Sequence, residues 1–330
     1  MLKKIALFFV VINMFSCLKG DEIEEKYNFN VYTQSPCIFK LQDFDMTEPV
    51  EAGICFGIEC ILETYTGTFG LDFPEDFKVT LIIFDDKEKY NQYYRDKFGS
   101  EALADGYFSL GDNECVVWKN TDVKQMLEVL FHETQHLLMA HHYPNCPMWL
   151  NEGLSQYFQG LNVIGRNKRI YSTNDCKEWN VHWLKTGFPV NPKEYVNLDY
   201  DQWNELRAEN VTAAYSIGYS MTYFLMRSSN MRKILKDVVL ECKKDYGFEE
   251  QIIEKNGEKY LYKKLLSRPT TEVFDEYYPG GYDEFESDWK RWIPRSRDYH
   301  PVRVMRQRLN ATQKEEKQVY GAAAAKKSPQ

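Results

Sequence analysis

An α+β fold with two lobes is predicted, because strand-like segments come first along the chain and helical segments follow. The β-branched and apolar run KVTLIIF at 78–84 is typical of a buried strand, and residues 87–98 after it have helical character. Two short apolar segments flank a Gly-Asp-Asn turn within 106–118, which predicts a β-hairpin. Apolar residues at helical spacing then predict a long helix from about 121 to 141.

Local signals set the later elements. Thr121 is a good N-cap for the long helix, and Pro144 and Pro147 end it and start a second, short helix at 149–158. Residues 160–205 have a loop-like composition with scattered Asn, Gly and Pro. Further helices are predicted at Ala213–Met226, Met231–Tyr246 and Tyr282–Trp292.

The composition narrows the class of protein. The 330 residues suit one large domain or two lobes that share a cleft. The apolar fraction of 43%, with 23 Tyr and 20 Phe, favours a packed core over disorder. The formal net charge of −8, without a long basic patch, argues against general binding to nucleic acid or anionic lipid.

The first residues have the pattern of an export signal. MLKK is positively charged, residues 5–15 are apolar apart from Asn13, and a polar stretch follows Cys17. The apolar run is shorter than the roughly 20 residues that span a bilayer. MFSC resembles a bacterial lipobox, although Phe15 stands where a small residue is usual. We therefore expect a signal peptide at 1–20 and an exported chain, either secreted or anchored in the cell envelope by a lipid on Cys17; an ordinary buried first strand or helix is the alternative.

The segment after the signal carries no recognisable motif. Residues 21–77 match no known pattern, and the polar stretch at 21–50 is expected to wrap the surface. Export permits disulfides among the eight cysteines, and Cys55 and Cys60 are the most plausible local pair. No two cysteines have the spacing of a structural zinc site, so a metal site must depend on His and Glu.

A metal-binding motif lies in the middle of the chain. The segment FHETQH contains H-E-x-x-H, which places His132 and His136 on one face of a helix, within reach of one ion. Glu133 lies beside that face, where it can serve as general base towards a water on the metal. Catalytic zinc usually takes three protein ligands, and Glu152 of WLNEG on the next helix is the candidate for the third. H-E-x-x-H alone also occurs by chance on ordinary helices; the second motif nearby is what favours Zn²⁺.

The two motifs together resemble those of the gluzincin metallopeptidases, which have H-E-x-x-H on one helix and N-E-G on the next. The segments GYFSLGDNECVVW, AAYSIGYSMTYFLM and FDEYYPGGYDEFESDWKRWI are similar to the bacterial peptidase-MA-like branch of that group, so the resemblance covers about residues 78–292. It implies a zincin-like fold, with a small mixed sheet and the zinc-binding helix at 78–160 and a mainly helical lobe at 161–296. Residues 297–330 are expected to form a disordered tail.

The resemblance also implies an activity. It makes the chain a zinc metallopeptidase, with His132, His136 and Glu152 as ligands, Glu133 as general base and Tyr215 as hydrogen-bond donor to the oxyanion. The substrate is then a peptide or protein, which an edge of the predicted hairpin could bind by backbone pairing. No G-x-M-E-N motif of exopeptidases is present, which favours an endopeptidase.

Other interpretations stay open. A surface lipoprotein that binds zinc without turnover, or an adhesion module, would carry the same ligands, although neither needs Glu133. Gln156 lies one turn after Glu152, where relatives often have an acidic partner for a ligand histidine, and its amide can accept a His N–H. His141 and His142 suggest either a second metal or, as we prefer, surface histidines at a helix C-terminus.

Overall fold

The computed structural model describes residues 26–301 except 103, 121, 144–145, 165–166, 172–173, 245, 256–257 and 297–298. Its helices are α1 Glu48–Thr64, α2 Lys87–Phe98, α3 Val123–His142, α4 Met148–Gln159, α5 Asn174–Thr186, α6 Pro192–Tyr195, α7 Tyr200–Glu209, α8 Val211–Met226, α9 Ser229–Glu241, α10 Thr270–Tyr277 and α11 Gly281–Trp292. Its strands are β1 Asn30–Gln34, β2 Cys37–Gln42, β3 Val79–Phe84, β4 Gly106–Ser109, β5 Glu114–Trp118, β6 Leu161–Ile164, β7 Asn167–Tyr171, β8 Phe248–Lys255, β9 Glu258–Leu265 and β10 Tyr299–Pro301.

The first five strands form a mixed sheet in the order β1-β2-β3-β5-β4. Strand β3 pairs in parallel with β2 and β5, whereas β1 and β4 pair antiparallel with their neighbours and form the two edges. Two smaller sheets contain β10-β7-β6 and β8-β9. The predicted α+β class and the hairpin at 106–118 are therefore confirmed.

Strand β3 is buried on both faces of the sheet, which explains its unbroken apolar sequence. Leu81 and Ile83 face the main core, which also contains the apolar residues of α1 and α3. Ile82 and Phe84 face a second, aromatic core that α2 covers with tyrosines, among them Tyr90. The helices α1 and α3 are thus held against one face of the sheet, and α2 against the other.

The N-terminal segment is part of this sheet, and the expectation that residues 21–50 wrap the surface is wrong for β2. In β2 alternate residues are buried, and Cys37 and Phe39 are fully enclosed. The buried residues alternate with partly exposed ones at the period of a strand, over a segment short enough to be overlooked. Helix α1 packs its own buried face, including Ile54 and Ile58, into the core shared with α3.

The region 160–205 is also more regular than its composition indicated, since β6, β7, α5, α6 and α7 lie within it or begin there. Two polar residues that suggested a loop are helix caps: the side chain of Asn191 accepts from Lys193 N, and Asp199 forms a capping box with Gln202. Asn and Asp favour N-caps for the same reason that they favour loops, because their side chains bond nearby backbone N–H groups.

The ends of the chain agree only in part with expectation. The tail was expected to be disordered from 297, but Tyr299–Pro301 form β10, which pairs antiparallel with β7. Residues 302–330 and the predicted signal peptide with Cys17 lie outside the described residues. None of the described helices is both long enough and apolar enough to cross a bilayer.

The predicted N-cap Thr121 of α3 also lies outside the described residues. Asp122 caps α3 by accepting from Gln125 N at 2.8 Å.

Helices α4 and α8 cross with their backbones in contact. A Cβ atom placed on Gly153 of α4 would lie 2.6 Å from the Gly218 carbonyl oxygen of α8, and one placed on Gly218 would lie 2.7 Å from the Trp149 carbonyl oxygen. Real Cβ atoms do not approach backbone so closely, so both positions require glycine for packing. This crossing fixes α4, which carries the candidate ligand Glu152, against the helix of Tyr215.

We expect Gly153→Ala to destabilise the protein by about 1–3 kcal/mol, because the added methyl group forces the two backbones apart. The matched control is Gly53→Ala in α1, where a Cβ would meet nothing within 4 Å. Alanine loses less backbone entropy than glycine when the helix forms, so this change is expected to stabilise the protein by about 0.5–1 kcal/mol. Urea unfolding measures both, and equal effects of the two substitutions would contradict the crossing described here.

Candidate metal centre

Two histidines meet on the buried side of α3. His132 and His136 are one turn apart, their rings are 4.7 Å apart between centroids, and both are almost fully enclosed. Their Nε2 atoms face each other at 3.0 Å. Two nitrogen lone pairs at this distance repel unless a proton or a cation lies between them.

Glu152 completes the group from α4. The chain reverses after α3 through Cys146, whose N–H donates to Tyr143 O at 3.2 Å, and α4 begins at Met148. This places Glu152 Oε2 at 3.7 Å from the Nε2 atoms of both histidines. The three predicted ligands are brought together, with one ligand atom from each inside a span of 4.8 Å.

The outer nitrogens of the two imidazoles are held by amide oxygens of α4. Asn151 Oδ1 lies 3.0 Å from His136 Nδ1, and Gln159 Oε1 lies 3.0 Å from His132 Nδ1. Each oxygen accepts the Nδ1 proton of its partner, so the Nε2 lone pairs point inward. Asn151, the residue directly before Glu152, thus orients a predicted ligand through its side chain.

The partner of His132 is a residue that the sequence did not single out. Gln156, the expected partner, lies 3.5 Å from His132 Nδ1 and donates to Gln159 Oε1 at 3.0 Å. Gln159 follows Glu152 by seven residues, about two helical turns, and so shares its face of α4. That spacing is the signal that could have identified it.

The carboxylates of the site lack hydrogen-bond partners. Among the described residues, no donor reaches Glu133 Oε1 or either carboxylate oxygen of Glu152, although both residues are only 1% exposed. Burial raises the pKa of Glu152 to about 8, and burial together with the charge of Glu152 raises the pKa of Glu133 well above its usual range. Buried unpartnered carboxylates are costly, and a divalent cation among them would remove that cost.

Burial also sets the protonation state of the two histidines. Burial lowers the pKa of His136 to about 4 and that of His132 well below its usual range, so both imidazoles are neutral, which is the form that binds metal. Two ligands about 2.0–2.1 Å from a tetrahedral zinc lie about 3.3 Å apart. The separations of 3.0 and 3.7 Å bracket that value. His132, His136 and Glu152 therefore form a group that could hold a metal ion.

Tyr215 lies beside this group, on the second turn of α8. Its hydroxyl lies near the guanidinium of Arg207, and burial together with the negative charge of Glu152 raises its pKa. The phenol is thus protonated and lies close to the carboxylates. Trp203 of α7 packs edge-on against it with ring centroids 5.3 Å apart.

A cation, Arg207, also lies near the site. The positive charge of Arg207, on α7, opposes the rise in the pKa of both Glu152 and Tyr215, which places the guanidinium close to the two. Its guanidinium carbon is 5.7 Å from the centre of the Trp203 ring. No local motif marks Arg207, and its helix α7 begins in the region 160–205 for which the composition predicted a loop.

The remaining histidines do not extend the site. His141 and His142 end α3, and their rings pack on Phe73 and Phe77. Within the described part of the chain, the only group of three or more His, Cys, Asp or Glu residues arranged to hold a metal is that of His132, His136 and Glu152.

Comparison with known proteins adds no family to this geometry: no protein-family model matches the chain, and no curated protein matches it significantly.

We expect Gln159→Ala to weaken zinc binding about 10–100-fold, because His132 loses the acceptor that fixes its orientation. Gln156→Ala is the matched comparison on the same helix and should have a smaller effect, since Gln156 acts on His132 mainly through Gln159. Titration against a chelator of known affinity measures both dissociation constants. A larger loss for Gln156→Ala would show that the two glutamines have the opposite roles.

Proposed function

We propose that the protein is a zinc-dependent endopeptidase with a gluzincin-type site and a zincin-like fold. The observation that carries this proposal is the buried group of His132, His136 and Glu152 with the buried carboxylate of Glu133 beside it, of which Oε1 has no hydrogen-bond partner among the described residues. A purely structural metal site has no use for an additional buried carboxylate next to its ligands. The strand-then-helix order of the first lobe is compatible with the proposed fold.

The donor set favours zinc. Two imidazoles and one carboxylate, with a position left for water, are typical of catalytic zinc. The same donors serve non-haem iron in oxygenases. The neighbouring Glu133 favours zinc and hydrolysis, because a general base is what an attack by water requires.

Hydrolysis assigns a role to each side chain. Zinc, when bound, would polarise the scissile carbonyl and make water more acidic. Glu133 accepts a proton from the attacking water and passes it to the leaving amine. Tyr215 donates a hydrogen bond to the oxygen that becomes negative, and the raised pKa keeps its hydroxyl protonated for that purpose. Arg207 holds a positive charge next to this phenol, and this charge adds to the stabilisation of the negative oxygen.

Strand β4 is the proposed binding edge for the substrate backbone. It forms one edge of the five-stranded sheet, and its Phe108 stacks on the ring of His136 with centroids 5.5 Å apart. An extended peptide that pairs with this edge would pass close to the ligands. Backbone pairing gives affinity with little dependence on side chains, which suits an endopeptidase; this pairing stays a prediction.

The decisive test compares the full chain with Glu133→Gln in zinc content and in cleavage of a mixed peptide library. Both proteins should bind zinc, because Glu133 is not a ligand, and cleavage by the variant should fall about 10²–10⁴-fold. Zinc in both without cleavage in either would favour the alternative of a non-catalytic zinc-binding lipoprotein or adhesion module. Lack of zinc in the unsubstituted protein would refute the proposal.

For Tyr215→Phe we expect kcat to fall about 10²–10³-fold with zinc binding unchanged, because only the donor to the oxyanion is lost. Tyr223→Phe is the control: this tyrosine is also on α8 and buried, but it packs on Tyr157 and Trp292. The double variant Tyr215→Phe with Arg207→Met should lose less than the product of the single losses, since Arg207 acts partly on the phenol. A loss in the double variant equal to the product of the single losses would show that Arg207 does not act through Tyr215.

A further inference from the structure

Two pairs of cysteines meet between different elements of the fold. The structure describes seven of the eight cysteines, all of them as thiols. Cys37 contacts Cys55, and Cys146 contacts Cys242. Neither pair belongs to the metal centre, and neither is needed for the proposed catalysis.

The first pair joins the hairpin β1–β2 to helix α1. Cys37 opens β2 opposite Gln34 of β1, and the thiol of Cys55 lies 3.6 Å from the Gln34 carbonyl oxygen. The thiols of Cys37 and Cys55 also hydrogen-bond to each other, which raises the pKa of Cys37 and lowers that of Cys55. Both residues are buried.

The second pair joins the connection between α3 and α4 to the end of α9. Cys146 lies in that connection, and Cys242 is the C-cap of α9. The thiol of Cys146 lies 3.8 Å from the Pro147 carbonyl oxygen, and that of Cys242 lies 3.5 Å from the Val238 carbonyl oxygen. The two cysteines are close enough to interact electrostatically, and Tyr143 is close enough to feel the charge of both. Cys242 also lines one cavity with Tyr143 and Pro147, which lie three residues before and one residue after Cys146.

We propose that the protein carries two disulfides, Cys37–Cys55 and Cys146–Cys242. This replaces the pairing of Cys55 with Cys60, which the geometry rules out. Both of those residues are in α1, five positions apart, so the helical rise alone separates them by about 7.5 Å and they point in different directions. Disulfides need Cα atoms within about 7 Å and Cβ atoms that face each other.

Each bond forms by thiol–disulfide exchange with an external disulfide, such as oxidised glutathione or the disulfide of a thiol oxidase. One cysteine thiolate attacks the external disulfide and releases one thiol, and the second cysteine then attacks the mixed disulfide and releases the other. Two protein thiols are oxidised, and one external disulfide is reduced to two thiols. Because Cys37, Cys55 and Cys146 are buried in the folded chain, exchange occurs before the elements close over them.

The second disulfide would support the metal centre from outside. Cys146 precedes Glu152 by six residues, and a bond to Cys242 would fix the start of α4 to α9. The first would tie the N-terminal strands to the core helix α1. Reduction should therefore lower the melting temperature and speed the release of zinc, with no requirement that the protein be an enzyme.

The test maps disulfides in the full chain after it has folded in a buffer of reduced and oxidised glutathione. Free thiols are alkylated under denaturing conditions without reduction, and the digest is analysed by mass spectrometry. We expect two linked peptides, 37 with 55 and 146 with 242, and alkylation of Cys60 and Cys115. Each pair is judged by its own peptides: alkylation of both members, or a link to any other cysteine, overturns the assignment for that pair.

Two variants make the result specific. Cys242→Ala should abolish the link to Cys146, leave the 37–55 link intact and make Cys146 available for alkylation. Cys60→Ala should leave both links unchanged. If Cys55 is linked in the unsubstituted chain but free in this variant, its partner is Cys60 and the pairing within α1 is correct. Mapping of the unsubstituted chain needs neither variant, so poor folding of one of them does not weaken the test.

Discussion

The backbone contact between α4 and α8 is the constraint on which the geometry of the site depends. Gly153 follows Glu152 directly, and its lack of a side chain lets α4 lie on Gly218. Tyr195 reinforces the crossing, because its hydroxyl accepts from Gly218 N at 3.1 Å and donates to a carbonyl of α8 at 2.6 Å. A side chain at either glycine would move Glu152 relative to Tyr215, and a displacement of even one ångström is costly in catalysis.

Behind α3, which carries two of the candidate ligands, the N-terminal segment supplies support of the same kind. Gly57 of α1 lies against the ring of Phe131. Phe131 directly precedes His132, so α1 packs on α3 next to the first candidate ligand. Strand β2 extends the sheet on which both helices rest. The segment at 30–69 thus belongs structurally to the lobe that holds the metal centre, whatever further role it has.

The polar groups of the centre divide into two sets. Asn151 and Gln159 satisfy the outer nitrogens of the histidines, as buried polar groups in stable proteins generally are satisfied. One carboxylate oxygen of Glu133 and both of Glu152 have no partner among the described residues, and the hydroxyl of Tyr215 lies near the guanidinium of Arg207. A folded chain tolerates such a concentration of unsatisfied groups mainly where function requires it, and a cation and a substrate carbonyl would satisfy them.

The sequence alone determined the elements and ligands that depend on local pattern. H-E-x-x-H on an apolar periodic run placed His132 and His136 on one helix, and the reversal at Pro147 placed Glu152 on the next, because helical spacing fixes such neighbours without reference to the rest of the chain. Tertiary structure alone decided which residues surround them. Arg207 and the partners of the cysteines depend on how distant elements pack, and single residues far apart in sequence leave no periodic trace of their contacts. The spacing of Gln159 from Glu152 gives its face of α4, but the packing of α4 against α3 decides its contact with His132.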